Sequence, residues 1–295
     1  MVEAGSRSTG HQVIALHEGV GGQASGTIPD TRAAAYRPMM STAPTSDAGE
    51  LRVLHWNIHS WTDESGNRNL ERVADLIMAT EPDVVSLVEV NEPLTGPSPL
   101  HELASGTAYH SVFVPAFEYG ADRPHGQFGN AILSRIPLLD VRHHQLIWPP
   151  RTYRGTEPSE PRSLVLGRVQ AGVGPVWIGT THLPATDHVA RDEAARRALA
   201  IMSALPLPWL LVGDFNARIA PWRMGYPSLQ AHPEAATPTY PANDPTECID
   251  YCVAPPGQGV HVRALDVAGS DHLPIIVQFQ PRRAPAQPGD GTTDP

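Results

Sequence analysis

Polar side chains that could bind a metal ion or transfer a proton follow the apolar runs of this sequence. An apolar run that ends in such residues is typical of a buried strand that delivers side chains to the edge of a sheet. The residues that share this position are Asn57, Glu89, Asn130, His182, Asp214, Asn216, Asp250, Asp271 and His272. The sequence therefore predicts one polar site assembled from several strands.

Each residue of this set also has a plain structural interpretation. Glu89 closes an apolar run, where a carboxylate is unfavourable unless it is paired or bound to metal, and a salt bridge to an arginine explains it equally well. Asp214 and Asn216 alternate around Phe215 and would share a face in extended backbone, although Gly-Asp-Phe-Asn also suits a turn. Asp271-His272 could form a turn, or an imidazole next to a carboxylate that acts as a general base.

The composition of the whole set favours metal-assisted chemistry on phosphate. It contains several carboxylates, amides and two histidines, and the sequence shows no serine nucleophile motif, phosphate-binding glycine loop or Cys–His pair. Hard oxygen ligands with few nitrogens favour Mg²⁺ or Mn²⁺ over zinc. A site of this kind suits the attack of a water-derived hydroxide on phosphorus.

Short apolar runs and two periodic segments predict the elements that would position these residues. Strands are predicted at 51–58, 84–90, 129–133, 163–169, 176–181, 209–212, 249–253 and 275–279. Helices are predicted at 69–80, before Pro82, and at 188–205. About eight strands with few helices between them favour two packed, largely antiparallel sheets flanked by helices over a doubly wound parallel sheet.

Composition divides the chain into three parts. Residues 1–49 are rich in Gly, Ser, Thr, Ala and Pro and are expected to form a flexible arm, and residues 281–295 a similar disordered tail. Residues 50–280 are expected to form one domain that carries the polar site. No apolar stretch approaches the roughly 20 residues of a membrane span, and no signal peptide is recognised, so a cytoplasmic location is expected. Cys248 and Cys252 are too far apart in a strand to form a disulfide.

The order of motifs resembles the endonuclease/exonuclease/phosphatase (DNase I-like) superfamily over about residues 51–280. The specific pieces are Gly-Asp-Phe-Asn at 213–216 and Ser-Asp-His-x-Pro at 270–274. The resemblance implies an α/β (α+β) fold, a four-layer αββα sandwich with helices outside two facing sheets and the site at one sheet edge.

The resemblance also implies how a metal ion and a water molecule would be held. Glu89 and Asn57, together with Asp271, would hold Mg²⁺, or Mn²⁺, directly or through water. Asp214 would orient or deprotonate the attacking water, and Asn216 would fix the phosphate or that aspartate.

The remaining roles concern the phosphate. Asp250 would pair with His272, which would contact the phosphate or transfer a proton, and His182 resembles the second histidine of the DNase I and sphingomyelinase branches. Asn130 and Arg162, the latter just before a predicted strand, would contact the phosphate.

The charge bears on the substrate. A formal net charge of −10 disfavours duplex DNA, whose binding proteins present basic surfaces. We therefore expect a phosphodiester or phosphomonoester of a small molecule or lipid headgroup. The alternatives are a nuclease for short or single-stranded nucleic acid, a biosynthetic transferase or cyclase, and a non-catalytic binding protein. The segments expected to be substrate-selecting loops are 91–128, 143–162 and 217–247, with His143 and His144 exposed in the second.

Overall fold

Two β-sheets form the centre of the protein. The computed structural model describes residues 15–17, 49–119, 125–147, 160–218, 220, 224–233 and 237–282. Within these residues the first sheet has the order β1 (Ala15–His17), β4 (His110–Tyr119), β5 (Gly126–Ser134), β3 (Val84–Pro93), β2 (Leu51–Asn57), β13 (Ile275–Gln280) and β12 (Gly259–Ala264). The second has the order β10 (Gln230–His232), β11 (Asp250–Ala254), β9 (Trp209–Asp214), β8 (Gly174–His182), β7 (Arg162–Ala171) and β6 (Leu138–Ile147).

Strand direction in both sheets agrees with the sequence prediction. Among the described strands, β2–β3 and β8–β9 are parallel pairs, and every other neighbouring pair is antiparallel. The expected two largely antiparallel sheets are therefore confirmed. Each parallel pair lies inside its sheet, where strands are hydrogen-bonded on both sides.

Among the described residues, three α-helices complete the four layers of the sandwich. On β2, Leu51 and Val53 belong to the apolar layer between the sheets, whereas Leu54 and Trp56 face the other way. That outward face is covered by α1 (Leu70–Thr80) and α2 (Pro99–Thr107), and α3 (His188–Ser203) covers the second sheet. The period-2 alternation of strand side chains thus divides the core into one inner and two outer apolar layers.

The two predicted helices are confirmed as α1 and α3. α1 ends at Glu81, which has a left-handed φ of 45°, directly before Pro82. α3 begins after Asp187, whose carboxylate accepts hydrogen bonds from Val189 N and Ala190 N, two of the amides that a helix start leaves free.

The sequence prediction missed one helix and five strands: α2, β1, β4, β6, β10 and β12. All eight predicted strands are present, as β2, β3, β5, β7, β8, β9, β11 and β13. β4 escaped because Pro115 interrupts its apolar run, and the register of β4 shifts there. β6 is a sheet edge with a mixed, half-exposed sequence, so it carries a weak pattern.

All three expected loops are consequently wrong in part. The segment 91–128 contains α2 and β4, residues 143–147 belong to β6, and 217–247 contains β10. His143 and His144 are half-buried residues of that edge strand, where cross-strand pairing with Val165 and Leu164 holds them.

The ends of the chain and the cysteines add three observations. Within residues 1–49, the backbone of β1 pairs with β4, and most of that segment and of 281–295 lies outside the described residues. Cys248 and Cys252 are both free, as expected. Across the described part of the chain, the helices are too short or too polar to cross a membrane.

Candidate active site

Three polar side chains stand side by side at one end of the second sheet. β11 places Asp250 opposite Asp214 of β9, and β9 places the same Asp214 opposite His182 of β8. All three are at least 95% buried. Strand register alone therefore brings together three residues that lie far apart in sequence.

The first sheet supplies Asn57 and Glu89. Asn57, the last residue of β2, donates from Nδ2 to Glu89 Oε1 and to Asp214 Oδ2, at 3.0 Å each. Strict alternation along β3 would place Glu89 with Leu87, under the helices. A bulge between Leu87 and Val90, with Glu89 at φ 56°, resets the alternation, so Val90 takes the outward position and Glu89 turns to the site.

Nitrogen atoms from three elements converge on one carboxylate oxygen, Asp214 Oδ2. Asn57 Nδ2 lies 3.0 Å from it, His182 Nε2 3.6 Å and His272 Nε2 3.7 Å. The other oxygen, Oδ1, accepts a hydrogen bond of 2.8 Å from the backbone N–H of Asn216. The site thus surrounds a buried carboxylate with donors from both sheets.

Asp250 and His272 form the tightest ion pair of the site. His272 Nδ1 lies 2.8 Å from Asp250 Oδ2, which also accepts a hydrogen bond of 2.6 Å from Thr239 Oγ1. The loop before β13 carries His272 and is fixed to β2, since Ser270 Oγ donates to Asn57 O and Trp56 Nε1 to His272 O, at 2.7 and 2.8 Å. These contacts explain the Ser-Asp-His sequence physically, and they agree with the expected pairing.

The ion pair shifts both of its members towards their charged forms. For His272, burial lowers the pKa, but the Asp250 carboxylate, its hydrogen bond and the Asp214 charge outweigh burial and raise the pKa to about 10. For Asp250, burial raises the pKa, and His272 together with the His55 hydrogen bond lowers it well below its usual range. The pair is therefore an imidazolium and a carboxylate at neutral pH.

Asp214 and His182 shift towards their neutral forms instead. Burial, followed by the charge of Asp250, raises the pKa of Asp214 from 3.8 to about 7. Burial, followed by the charges of Arg162 and His272, lowers the pKa of His182 well below its ordinary value. Asp214 can therefore exchange a proton near neutral pH, as a general base must, and the neutral His182 beside it can serve as its hydrogen-bonding partner.

Asn216 lies in the site but not in extended backbone. Its φ is 52°, and its Nδ2 donates to Leu183 O at 2.8 Å, so its side chain does not share a face with Asp214. The expectation of a shared face is wrong because the chain turns after β9. Asn216 binds Asp214 through its backbone N–H, and its side chain connects this turn to Leu183, the residue that follows β8.

Asn130 and Arg162 are both placed at the start of β7, Asn130 through its contact with Ser163. Asn130 on β5 is buried, and its Nδ2 donates to Ser163 O at 3.0 Å, linking the two sheets. Arg162 begins β7, is 6% exposed, and pairs with Glu160 at 2.9 Å. The Arg162 charge acts on the pKa of His182, which places a guanidinium close to the site.

Two sets of residues could hold a cation. Asp214, Asp250 and His272 each offer a ligand atom within 4.8 Å of the others, but Asp250 and His272 are hydrogen-bonded to each other.

The second set is formed by Glu89 and Asp271. Their side chains are 22% and 30% exposed, which leaves carboxylate oxygens accessible at the mouth of the site. Asn57 presents Nδ2 to the carboxylates while its Oδ1 accepts from His59 N, so direct ligation by Asn57 requires its amide to turn over. The oxygen-rich donor set fits a hard divalent ion.

Two residues of the site were not found from the sequence. Thr239 donates to Asp250, and His55 lies with Nε2 3.3 Å from Asp250 Oδ1. Thr239 lies in a segment that carries no periodic signal. His55 did carry one, since it follows Leu51 and Val53 on the inward face of β2, where an imidazole needs a buried partner.

A cleft of about 780 Å³ adjoins the site along the first sheet. Ser60, which follows His59, and Asn91, two residues after Glu89, line it, as does Glu160, the partner of Arg162. Its apolar wall consists of Trp61, Phe117, Tyr119 and Phe128. Its size lies within the range of about 300–1,000 Å³ typical of small-molecule pockets.

Comparison with known proteins places the fold and the motifs in context. A model of the Endonuclease/Exonuclease/phosphatase family matches residues 54–272. An endonuclease/exonuclease/phosphatase from Beutenbergia cavernae DSM 12333 is 26% identical, with a TM-score of 0.65 over 81% of this chain and 73% of that one. A mannosyl-6-phosphatase from Bacteroides thetaiotaomicron VPI-5482 is 19% identical, with a TM-score of 0.61 over 78% and 99% of the chains. D. rerio TDP2 complexed with single strand DNA product is 18% identical, with a TM-score of 0.55 over 78% and 98%. No curated protein matches the chain.

Proposed function

The chain belongs to the Endonuclease/Exonuclease/phosphatase family, whose members are phosphoric ester hydrolases, and on that premise we propose that it hydrolyses a small phosphate ester with the help of a divalent cation. The observation that carries the proposal is the convergence of Asn57, His182 and His272 on Asp214 Oδ2. A buried carboxylate in that setting is a base held among groups that donate to a phosphate or a water molecule.

Asp214 takes the proton of the attacking water. Its raised pKa, about 7, matches the working pH of a general base, because proton transfer is most efficient when donor and acceptor pKa values lie near the ambient pH. The water oxygen forms a bond to phosphorus, the bond from phosphorus to the ester oxygen breaks, and the leaving alcohol takes a proton. Asn57 Nδ2 keeps the carboxylate in place during this step.

His272 and His182 act on the phosphate oxygens. His272 is an imidazolium whose Nδ1–H is held by Asp250, so Nε2–H is free to donate to an anionic oxygen or to the departing alcohol. His182 is neutral and contributes a donor without a second positive charge beside it. Preorganised donors aimed at developing charge are a large source of rate acceleration.

Glu89 and Asp271 are the residues proposed to hold Mg²⁺ or Mn²⁺, with Asn57 contributing through a water molecule so that its Nδ2 stays on Asp214. A bound divalent ion supplies Lewis-acid stabilisation of charge on the phosphate oxygens. Glu89 reaches the site only through the bulge of β3, and this local backbone conformation supports a functional role.

Removal of divalent ions should abolish activity. We expect dialysis against EDTA to lower hydrolysis to about 1% or less, and Mg²⁺ or Mn²⁺ to restore it. Mg²⁺ should also raise the melting temperature of the EDTA-treated protein, because a ligand of the folded state stabilises it. Glu89→Gln should lose that increase, whereas Glu118→Gln, at an exposed carboxylate of β4, should keep it. Full activity in EDTA would refute the cofactor assignment.

The cleft and the charge support a small substrate. The aromatic wall and polar rim of the cleft suit the sugar or other organic group of a small ester or lipid headgroup. A net charge of −10 weakens attraction to long polyanions. A mannosyl-6-phosphatase among the structural neighbours is in keeping with this choice.

A substrate panel tests the function itself. We expect hydrolysis of p-nitrophenyl phosphate or bis-p-nitrophenyl phosphate with Mg²⁺, at rates that change little when salt is raised. Sphingomyelin vesicles, a single-stranded oligonucleotide and a plasmid complete the panel. Absence of hydrolysis across the whole panel by protein that binds Mg²⁺ would count against the hydrolase proposal.

A nuclease for single-stranded nucleic acid is the second candidate, and one observation favours it. D. rerio TDP2, a structural neighbour, is complexed with single strand DNA product. Preference for the oligonucleotide, with activity that falls steeply as salt rises, would select this candidate. Product analysis in ¹⁸O-labelled water separates hydrolysis from a transferase or cyclase, since only hydrolysis places solvent oxygen on the phosphate.

A further inference from the structure

We propose that His55 is a positioning residue that holds the carboxylate of Asp250 in the orientation required by His272, an inference that rests on the proposed function of this site. His55 lies on β2 and Asp250 on β11, so their contact joins the first sheet to the second. Four side chains then form one buried hydrogen-bonded chain: Ser86, His55, Asp250 and His272.

The position of His55 is otherwise an apolar one. Leu51 and Val53 occupy the two preceding inward positions of β2 and pack between the sheets. His55 is 0% exposed, and a buried imidazole is unfavourable unless its nitrogens are hydrogen-bonded. Both nitrogens have partners: Nδ1 lies 2.8 Å from Ser86 Oγ, and Nε2 lies 3.3 Å from Asp250 Oδ1.

The direction of these hydrogen bonds follows from Asp250. It pairs with His272 at 2.8 Å and also accepts from Thr239, so it is a carboxylate and only accepts. His55 must therefore carry a proton on Nε2 and donate it. In the neutral imidazole Nδ1 is then an acceptor, and the Ser86 hydroxyl, opposite His55 in the parallel pairing of β2 and β3, donates to it. Asp250 thereby selects the tautomer, and the Ser86 hydroxyl, which can donate or accept, satisfies the other nitrogen.

The two oxygens of Asp250 are divided between two tasks. Oδ2 accepts from His272 Nδ1 and Thr239 Oγ1, and Oδ1 accepts from His55. Without a donor at Oδ1, the carboxylate can rotate about its last side-chain bond and His272 loses a fixed partner. Small misplacements of catalytic groups lower rates by up to about 10²-fold. Because the contact between His55 and Asp250 is long, at 3.3 Å, we expect loss of His55 to lower the rate by less than this, about 10-fold.

Two polar variants of His55 separate positioning from simple packing. Gln places an amide nitrogen near the position of Nε2, so His55→Gln can still donate to Asp250. Asn places its amide near Nδ1, so His55→Asn reaches Ser86 but not Asp250. We expect His55→Asn to lower kcat about 10-fold with KM within about 2-fold, and His55→Gln to recover most of that loss. His55→Leu, which matches the apolar neighbours in β2, should behave like His55→Asn and serves if the Asn variant folds poorly.

A spectroscopic measurement tests the inference without any substrate. In protein labelled with ¹⁵N-histidine, we expect the His272 Nδ1–H proton to give a low-field resonance, assigned by its absence in His272→Asn. His55→Asn and His55→Leu should broaden or shift it, and His55→Gln should restore it. This result stands even if the panel of phosphate esters is not hydrolysed, so the two proposals fail separately. An unchanged resonance and unchanged kcat in His55→Leu, or equal losses in the Gln and Asn variants, would overturn the positioning role.

Discussion

His272→Asn is expected to lower kcat by about 10²–10⁴-fold while the protein keeps its fold. The amide nitrogen of Asn can take the place of Nδ1 and donate to Asp250, so the buried carboxylate retains its partner. What the variant lacks is Nε2, the atom that lies 3.7 Å from Asp214 Oδ2 and that we propose donates to the phosphate. Initial rates with the preferred ester of the panel, together with thermal unfolding, measure both quantities.

His272→Ala should lose both activity and stability. It leaves Asp250 as a buried carboxylate without its main partner, and breaking a buried ion pair in this way destabilises a protein by about 3–5 kcal/mol. For a domain of this size, each kcal/mol lowers the melting temperature by about 2–4 °C. His261→Asn, at an exposed position of β12, is the matched control and should leave both quantities unchanged. Near-normal kcat in His272→Asn would remove His272 from the mechanism.

The grouping of the second-sheet residues can be predicted from the sequence because strand register produces it. Asp214 and His182 end apolar strands and Asp250 begins one, and the pairing of three adjacent strands then brings them side by side. No special backbone conformation is needed for this. The Gly-Asp-Phe-Asn and Ser-Asp-His motifs made the family resemblance specific. Each contains a residue that fixes the site by a hydrogen bond: Asn216 N donates to Asp214, and Ser270 Oγ donates to Asn57 O.

Parts of the site that depend on irregular backbone could not be derived from periodicity. Alternation along β3 places Glu89 on the wrong face, and only the bulge at Leu87/Val90 turns it towards Asn57. Asn216 was expected in extended backbone and is instead left-handed. In both cases a positive φ at a residue other than glycine decides the direction of the side chain, and single-residue propensities do not encode it.

His55 was missed for a different reason. Its inward position indicates that it needs a buried partner, but Ser86 and Asp250 lie 31 and 195 residues further along the chain, so the local sequence does not show which residues bind it. The fold was predicted more completely than the site, since long apolar runs mark central strands. The edge strand β6 and the proline-interrupted β4 lack such runs. β4 lines the cleft, and β6 forms one edge of the second sheet.

Asp214→Asn is expected to remove activity and, without metal, to make stability less dependent on pH than in the wild-type protein. The variant keeps the shape of the side chain but cannot accept the proton of water, so kcat should fall by at least about 10²-fold. Asp266→Asn, at an exposed aspartate, is the control for loss of one negative charge. Retained activity in Asp214→Asn would exclude Asp214 as the base.

The stability effect has a defined dependence on pH in EDTA. Burial and Asp250 raise the pKa of Asp214 from 3.8 to about 7, so the folded state holds this proton to higher pH than the unfolded state does. As pH rises through this interval the unfolded chain ionises first, and the free energy of unfolding of the wild-type protein decreases. Asparagine does not titrate, and the other groups are common to both proteins. The melting temperature of Asp214→Asn minus that of wild type should therefore increase from pH 4 to pH 7 and level off above it. A difference that is constant with pH would mean that Asp214 is not held near neutrality by burial beside Asp250.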